Sequence, residues 1–451
     1  KKRENMQFPQ SCIQFPFPAY IHMEITGSKG RELMFFKHFF SFPSPRLPEH
    51  TPKRSFRKQT NARRCILAEL SVLCLLCISF FLSHTASGQT AAVWAKAAAG
   101  RFFGKESTAT PSQPDYIKWV DFDVTCQAMN QAFRYDVDTC QSEIHLNWVD
   151  LLAYLGARYG GDFSKYKAPD LEKAAEALLS GETTMTELTK DMKYFSYYRQ
   201  AYGAVLDGLV GEYEAQIPKE QAPGAYLPSG VDGGTPEDPK TVWVKKYGLK
   251  AFSPIAKSFP YSDYDDFGTA RSYGFKRQHL GHDMMGQVGT PIIAVESCYV
   301  EAIGWNQYGG WRLGLRSFDK KRYYYYAHLR QNYPYQSNLK EGSIVSAGDV
   351  IGYLGRTGYS ATENTNNIEE PHLHFGLQLI FDESQKEGNN EIWIDCFELT
   401  RFLSMNRSEV KKVEGTKEWA RIYGIKDPVI PENTEITGQE QVFTEAHPTD
   451  E

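Results

Sequence analysis

Cysteine is scarce, positive charge is missing from most of the chain, and only one long apolar run occurs. Eight cysteines in 451 residues are too few for a disulfide-stapled scaffold. Cys12, Cys65, Cys74 and Cys77 lie at or before the apolar run, which leaves Cys126, Cys140, Cys298 and Cys396 for the body. In an exported protein Cys126 could pair with Cys140, or Cys298 with Cys396; buried free thiols are the alternative. Of 50 Lys+Arg and 55 Asp+Glu, residues 1–64 hold 13 and 4, so the other 387 residues carry 37 against 51. An acidic body with no basic stripe repels phosphate backbones and excludes nucleic acid as a partner. With 41% hydrophobic and 23% charged residues, the chain is neither wholly disordered nor a polytopic membrane protein. Its length leaves room for about two or three domains.

The one apolar run is Cys65–Leu82, with Glu69 as its sole charge. At 18 residues it meets the lower limit for a spanning helix, and Lys53, Arg54, Arg57, Lys58, Arg63 and Arg64 precede it with no such cluster after. We therefore expect a basic cytoplasmic head over 1–64, with Met6, Met23 or Met34 as candidate starts, and a single-pass anchor over 65–84. Everything after His84, the acidic body included, is then expected to be extracytoplasmic. A cleaved signal segment, releasing a secreted protein, is the alternative.

Residues 85–111 read as a linker. Over 112–216 apolar residues recur at helical spacing. Met185, Leu188, Met192, Phe195, Tyr198, Tyr202, Val205 and Leu209 form one continuous face, while Leu151, Leu152, Leu155 and Leu171, Ala175, Leu178 mark shorter helices ending near Gly160-Gly161 and Gly181. A small helical bundle is expected, with His145 structural. Pro and Gly punctuate 217–240 as a second linker. From 241 to 405 the pattern changes to short β-prone runs, among them Pro291–Val295, Arg322–Ala327, His374–Ile380 and Ile392–Ile394, and predicts an all-β domain. Residues 406–451, polar and without period, read as a loose acidic tail.

Five of the 11 histidines fall between 279 and 374. In His372-Leu373-His374, strand alternation puts both imidazoles on one face, where one can ligate a metal and the other reach a water upon it. His279-Leu280-Gly281-His282-Asp283 adds an imidazole and a carboxylate around a glycine. With His374 they make a two-His, one-carboxylate set, the composition of a zinc site that keeps one position open for hydrolysis. His282 is the spare imidazole, read as solvent-facing or supporting. In Tyr323-Tyr324-Tyr325-Tyr326-Ala327-His328, alternation predicts that Tyr324, Tyr326 and His328 share a face, where His328 could serve the oxyanion or hold the attacking water. The glycine-spaced run Gly342–Gly358 suits a barrel-sandwich, and no lysine follows that would make it a biotinyl or lipoyl carrier.

These separated pieces, Arg277 to Asp283, Gly289-Thr290-Pro291, Tyr326-Ala327-His328-Leu329 and Pro371-His372-Leu373-His374-Phe375, resemble in order the lysostaphin/LytM-type zinc metallopeptidases over roughly residues 245–400. The resemblance implies a duplicated-hybrid-motif barrel-sandwich after the helical bundle, one Zn2+ held by His279, Asp283 and His374, and His328 with His372 as the catalytic pair. It also implies peptidoglycan peptide stems as substrate. The chain departs from the family in an enlarged, acidic loop at Ala361–Glu370 beside the expected groove. A membrane-anchored scaffold that binds without cutting is the competing reading; the presence of all three ligands and both catalytic histidines favours the enzyme.

Overall fold

The computed structural model describes residues 116–221, 241–272 and 276–431, all within one compact unit, 115–451. The expected head, anchor and first linker, most of 217–240 and residues 432–451 lie outside the described residues. Among the described residues no helix is long and apolar enough to cross a membrane.

Five helices open the described chain: α1 (Cys126–Thr139), α2 (Trp148–Tyr159), α3 (Ala168–Leu179), α4 (Met185–Thr189) and α5 (Phe195–Leu206). Local chemistry sets their ends. The Thr125 hydroxyl accepts from the Ala128 amide to start α1, and the Asn147 side chain accepts from the Val149 and Asp150 amides to start α2. Gly160, at φ 69°, closes α2 in the left-handed conformation that costs glycine least. The expected continuous helix over 185–209 is corrected to α4 and α5. A turn at 190–194, closed by Met192 and Phe195 amides donating to the Thr189 and Met192 carbonyls, interrupts it. All eight stripe residues nevertheless pack on the core, because the turn returns the chain to the same face.

The strands in chain order are β1 (Val210–Pro218), β2 (Thr241–Leu249), β3 (Tyr261–Asp263), β4 (Ala270–Ser272), β5 (Lys276–Gln278) and β6 (His282–Gly286). There follow β7 (Pro291–Ile293), β8 (Cys298–Asn306), β9 (Gly310–Ser317), β10 (Arg322–Ala327), β11 (Ile344–Val345) and β12 (Val350–Tyr353). Then come β13 (His372–Leu379), β14 (Ile392–Ile394), helix α6 (Phe397–Leu403), β15 (Val410–Lys412), β16 (Trp419–Arg421) and β17 (Ile425–Lys426). The principal sheet runs β11-β8-β9-β10-β13-β6-β3, with β14 also on β13. Alternation gives it two faces. Leu313, Leu315, Tyr324, Tyr326, Leu373, Phe375 and Leu377 point into the core, which is continuous with that of the helices: Trp148 stacks on Phe402 of α6 with ring centroids 5.5 Å apart.

Two boundary expectations are corrected. The 217–240 linker starts later, since β1 pairs antiparallel with β2 through Pro218 and a turn at Lys219–Gln221 follows. The tail is packed up to 431: β17 pairs with β1, the Arg407 guanidinium donates to the Ala256 and Phe259 carbonyls at 2.7 Å, and Arg421 pairs with buried Asp349 at 3.1 Å. Its apolar contacts are few and scattered, Val410, Trp419, Ala420 and Ile425, and polar side chains satisfy loop carbonyls and buried charge beside them, so it leaves no hydrophobic period. Cys126, Cys140, Cys298 and Cys396 form no disulfide, so neither of the two candidate pairings is made.

Candidate functional site

The outer face of the same sheet carries the chemistry. Antiparallel pairing of β13 with β6 sets His374 opposite Asp283 and His372 opposite Met285, and His279 enters from the turn between β5 and β6. Gly281 makes the approach possible, for a Cβ there would lie 2.5 Å from the His374 ring. His279 Nε2, Asp283 Oδ1 and His374 Nδ1 converge at 3.0, 2.9 and 2.9 Å from one another. His279 Nδ1 lies 3.2 Å from Asp266 Oδ2 and 3.3 Å from the Asp266 carbonyl, both of which can only accept, so its proton sits there and Nε2 presents a lone pair. Three atoms facing one another thus share at most one proton, on His374. Such a cluster of acceptors asks for a cation.

Electrostatics agree with that geometry. Burial acts to raise the Asp283 carboxyl, but the His279 and His374 imidazoles in contact with it, and the potential of His374 and His372, hold it far below the usual carboxylate range. Burial likewise opposes charge on His279, yet the Asp283 hydrogen bond and the Asp283 and Asp266 charges raise it. For His374 burial prevails and lowers it. Arg271 bridges the Asp266 and Asp283 carboxylates from the groove wall.

His372 and His328 flank this cluster, ring centroids 4.8 Å apart. Each is tethered through Nδ1 to a backbone carbonyl, His372 to Glu370 at 2.7 Å and His328 to Thr357 at 2.9 Å. A carbonyl only accepts, so each neutral ring carries its proton on Nδ1 and leaves Nε2 bare; His372 Nε2 lies 3.7 Å from Asp283 Oδ1. Burial, followed by the potentials of His372 and His374, pushes His328 well below its ordinary range.

Two expectations change. Tyr324 and Tyr326 do not share a face with His328: both point into the core, where the Tyr324 hydroxyl donates to Glu296 at 2.7 Å and the Tyr326 hydroxyl accepts from the Val295 amide at 3.2 Å. His328 follows the end of β10 at φ 61°, which breaks the alternation and turns its ring to the groove, whereas Tyr323 and Tyr325 line that groove. His282 is neither solvent-facing nor near the cluster, being buried on the opposite face with Nε2 3.0 Å from Asp263 Oδ2. His145, as expected, is structural, hydrogen-bonded to buried Asp136 at 3.0 Å. Sequence reasoning missed Asp266, the Thr357 and Glu370 carbonyls and Arg271; Asp266 alone had a signal, an acid 13 residues before His279 in a loop.

Around these groups runs a groove of about 990 Å³, lined by Tyr264, Leu280 and Trp393 at one side and by Ile368, Glu369 and Glu370 of the enlarged loop at the other. The loop is pinned where Asn364 Oδ1 accepts from the Trp311 indole at 2.8 Å.

Residues 277–388 match the model of Peptidase family M23, a stretch that holds His279, Asp283, His328, His372 and His374. The chain carries an M23 peptidase domain. Over 132 residues, 29% of this chain, it is 38% identical to the L-Ala–D-Glu endopeptidase of Bacillus subtilis (strain 168), covering 38% of that protein. Over 98 residues, 22% of this chain, it is 38% identical to lysostaphin of Staphylococcus staphylolyticus, covering 18% of it. The chain thus spans well under half the length of these relatives. A crystal structure of a lytM protein from Ruminococcus gnavus ATCC 29149 is similar at TM-score 0.41 and 21% identity, over 66% of this chain and 92% of that one. The M23 match ends before α6 and leaves the helices unassigned.

Proposed function

We propose that this protein is a zinc-dependent metalloendopeptidase that hydrolyses peptide cross-links of bacterial peptidoglycan. The observation that carries the reading is the convergence of His279 Nε2, Asp283 Oδ1 and His374 Nδ1 within 3.0 Å of one another, with Asp266 holding the far nitrogen of His279. Zinc at about 2.0–2.1 Å from each donor would space three tetrahedral ligands roughly 3.3 Å apart, so the set fits after a small expansion. When bound there, zinc supplies Lewis-acid polarisation of a substrate carbonyl and acidifies water. The carboxylate of Asp266 fixes the His279 ring, as supporting acids do for ligating histidines.

The chain's own residues handle the protons. His372 Nε2, bare because Nδ1 is tied to the Glu370 carbonyl, accepts a proton from the attacking water and then returns it to the leaving amine. His328 Nε2, bare for the same reason, accepts a hydrogen bond and holds that water in line. Of the two roles considered for His328, water-holding suits its geometry better than donation to an oxyanion. The reading is further supported by the relatives' names, one an L-Ala–D-Glu endopeptidase and another a glycyl-glycine endopeptidase. Placement of the domain outside the cytoplasm, behind an anchor at 65–84, rests on the charge asymmetry of the sequence alone.

The test is digestion of purified sacculi by the full chain with zinc, and mass spectrometry of the fragments. Soluble muropeptides from wild type, none after chelation and recovery with zinc are expected. A folded, zinc-loaded chain that releases nothing from several wall types yet sediments with them would replace the peptidase by the scaffold.

A further inference from the structure

The groove floor beyond the histidines holds a cation that no protein group uses. On β9, Leu313 and Leu315 point inward, so Arg312, Gly314 and Arg316 belong to the outer face. Tyr326 pairs with Leu313 and Ala327 with His374, which puts Arg312 in the cross-strand row of His374, two strands away or roughly 10 Å. The other groove cations are committed: Arg271 to Asp266 and Asp283, Arg277 to the Tyr359 hydroxyl, Lys386 to Glu301. Its neighbour Arg316 is spent on Glu301 and Glu383. Among the described residues, only Arg312 lines the groove as a half-buried guanidinium with no hydrogen bond or ion pair.

A second uncommitted donor lies beside it. Tyr323, 8% exposed, lines the same floor, and its hydroxyl has no hydrogen-bond partner. Gly314 gives that phenol its room, for a Cβ there would stand 2.0 Å from the Tyr323 hydroxyl. The groove edges are acidic, since Glu369, Glu370, Glu387 and Glu391 line it and are exposed. A diffuse polyanion is repelled by those edges, whereas one compact carboxylate can pass them and meet the guanidinium and the phenol together.

Resting on the peptidase reading above, we propose that Arg312, assisted by Tyr323, binds a free carboxylate of the substrate one or two residues from the scissile bond. The span follows from roughly 10 Å across the sheet, shortened by the reach of the arginine, at about 3.3–3.6 Å per extended residue. The substrate is therefore an acidic stem peptide rather than a neutral glycine bridge. A charged hydrogen bond to a fork-shaped guanidinium discriminates a carboxylate from a carboxamide by about 10- to 100-fold.

Three probes, each with its C-terminus amidated, test it on the full chain with zinc: the tetrapeptide L-Ala–D-Glu–L-Lys–D-Ala amide with the D-Glu carboxylate free, the same peptide with that group also amidated, and pentaglycine amide. Wild type should favour the free carboxylate by that factor in kcat/KM. Arg312→Gln should bring the ratio near one, and Arg312→Lys should restore part of it. Preference for pentaglycine, or a ratio that Arg312→Gln preserves, overturns the Arg312 assignment and leaves the peptidase standing. If neither the peptides nor sacculi are cut, the peptidase reading falls instead; calorimetric binding of the two tetrapeptides to wild type and Arg312→Gln then decides the carboxylate site by the same ratio.

Discussion

Two buried polar clusters occupy opposite faces of one sheet, and they are satisfied in opposite ways. On the inner face Arg322 donates to both Glu296 oxygens at 2.8 and 3.0 Å, to Asp319 at 3.0 Å and to the Ala204 carbonyl at 2.8 Å, while the Tyr324 hydroxyl also donates to Glu296. Donors and acceptors match there, and the cluster joins α5 to the sheet. On the outer face His279, Asp283 and His374 crowd three acceptors around at most one proton. A buried group with its partners in place stabilises; a buried surplus of acceptors marks a candidate functional site. The two clusters should therefore respond oppositely to the same kinds of perturbation.

The largest contrast is in activity. His372→Ala removes the proton acceptor and should lower kcat by about 10²- to 10⁴-fold, with zinc content unchanged, because its ring lies beside the ligand cluster rather than in it. His328→Ala should cost about 10²-fold at equal zinc. Arg322→Met should leave kcat near wild type in whatever fraction folds. Turnover of released muropeptides with parallel metal analysis checks all three; loss of zinc in His372→Ala would move that residue from proton transfer to ligation.

Stability reverses the order. Arg322→Met strands Glu296 as an unpaired buried charge and should cost about 3–5 kcal/mol in denaturant unfolding, with or without chelator. The His279→Ala, His374→Ala double variant should lose zinc and, with it, the chelator sensitivity of unfolding expected of wild type, since a ligand bound only to the folded state stabilises by mass action. A double variant that still binds one zinc per chain would dismantle the ligand assignment.

Legibility followed distance along the chain. His372 and His374 are two residues apart on a strand, and His279 and Asp283 straddle a glycine, so each pair could be read from local geometry, while the meeting of the two pairs depends on β13 lying beside β6. The anchors that orient them could not, since Asp266 and the Thr357 and Glu370 carbonyls are paired with their histidines only by the fold. The alternation that predicts faces failed at His328, where a positive φ in a non-glycine residue has no signature in sequence. The helix face of 185–209 was legible while its continuity was not, because a turn that preserves the face leaves the apolar spacing intact. Residues 406–431 read as loose because they bind largely through Asn406, Arg407 and Arg421, with apolar anchors too scattered, at Val410, Trp419 and Ile425, to make a period.

A third polar site belongs to neither pattern and should give the smallest effect. Asp395, just before α6, accepts from the Phe397 amide at 2.8 Å, yet burial first, and then the charges of Asp265 and Asp123, raise its pKa to about 6. Among the described residues no cation pairs with it, unlike Asp283 or Glu296. A carboxyl raised on folding contributes stability that is fully present below its unfolded value near pH 4 and is lost as pH rises through about 6. Asp395→Asn keeps an acceptor for the Phe397 amide and cannot ionise, so the variant should match wild type near pH 4 and exceed it above pH 6. Allowing for solvent screening of a group that is only partly buried, the gain is about 1 kcal/mol. Urea unfolding of both proteins between pH 4 and 8 measures it. A difference that does not grow with pH would mean that Asp395 is ionised throughout, held by its backbone hydrogen bond against its acidic neighbours.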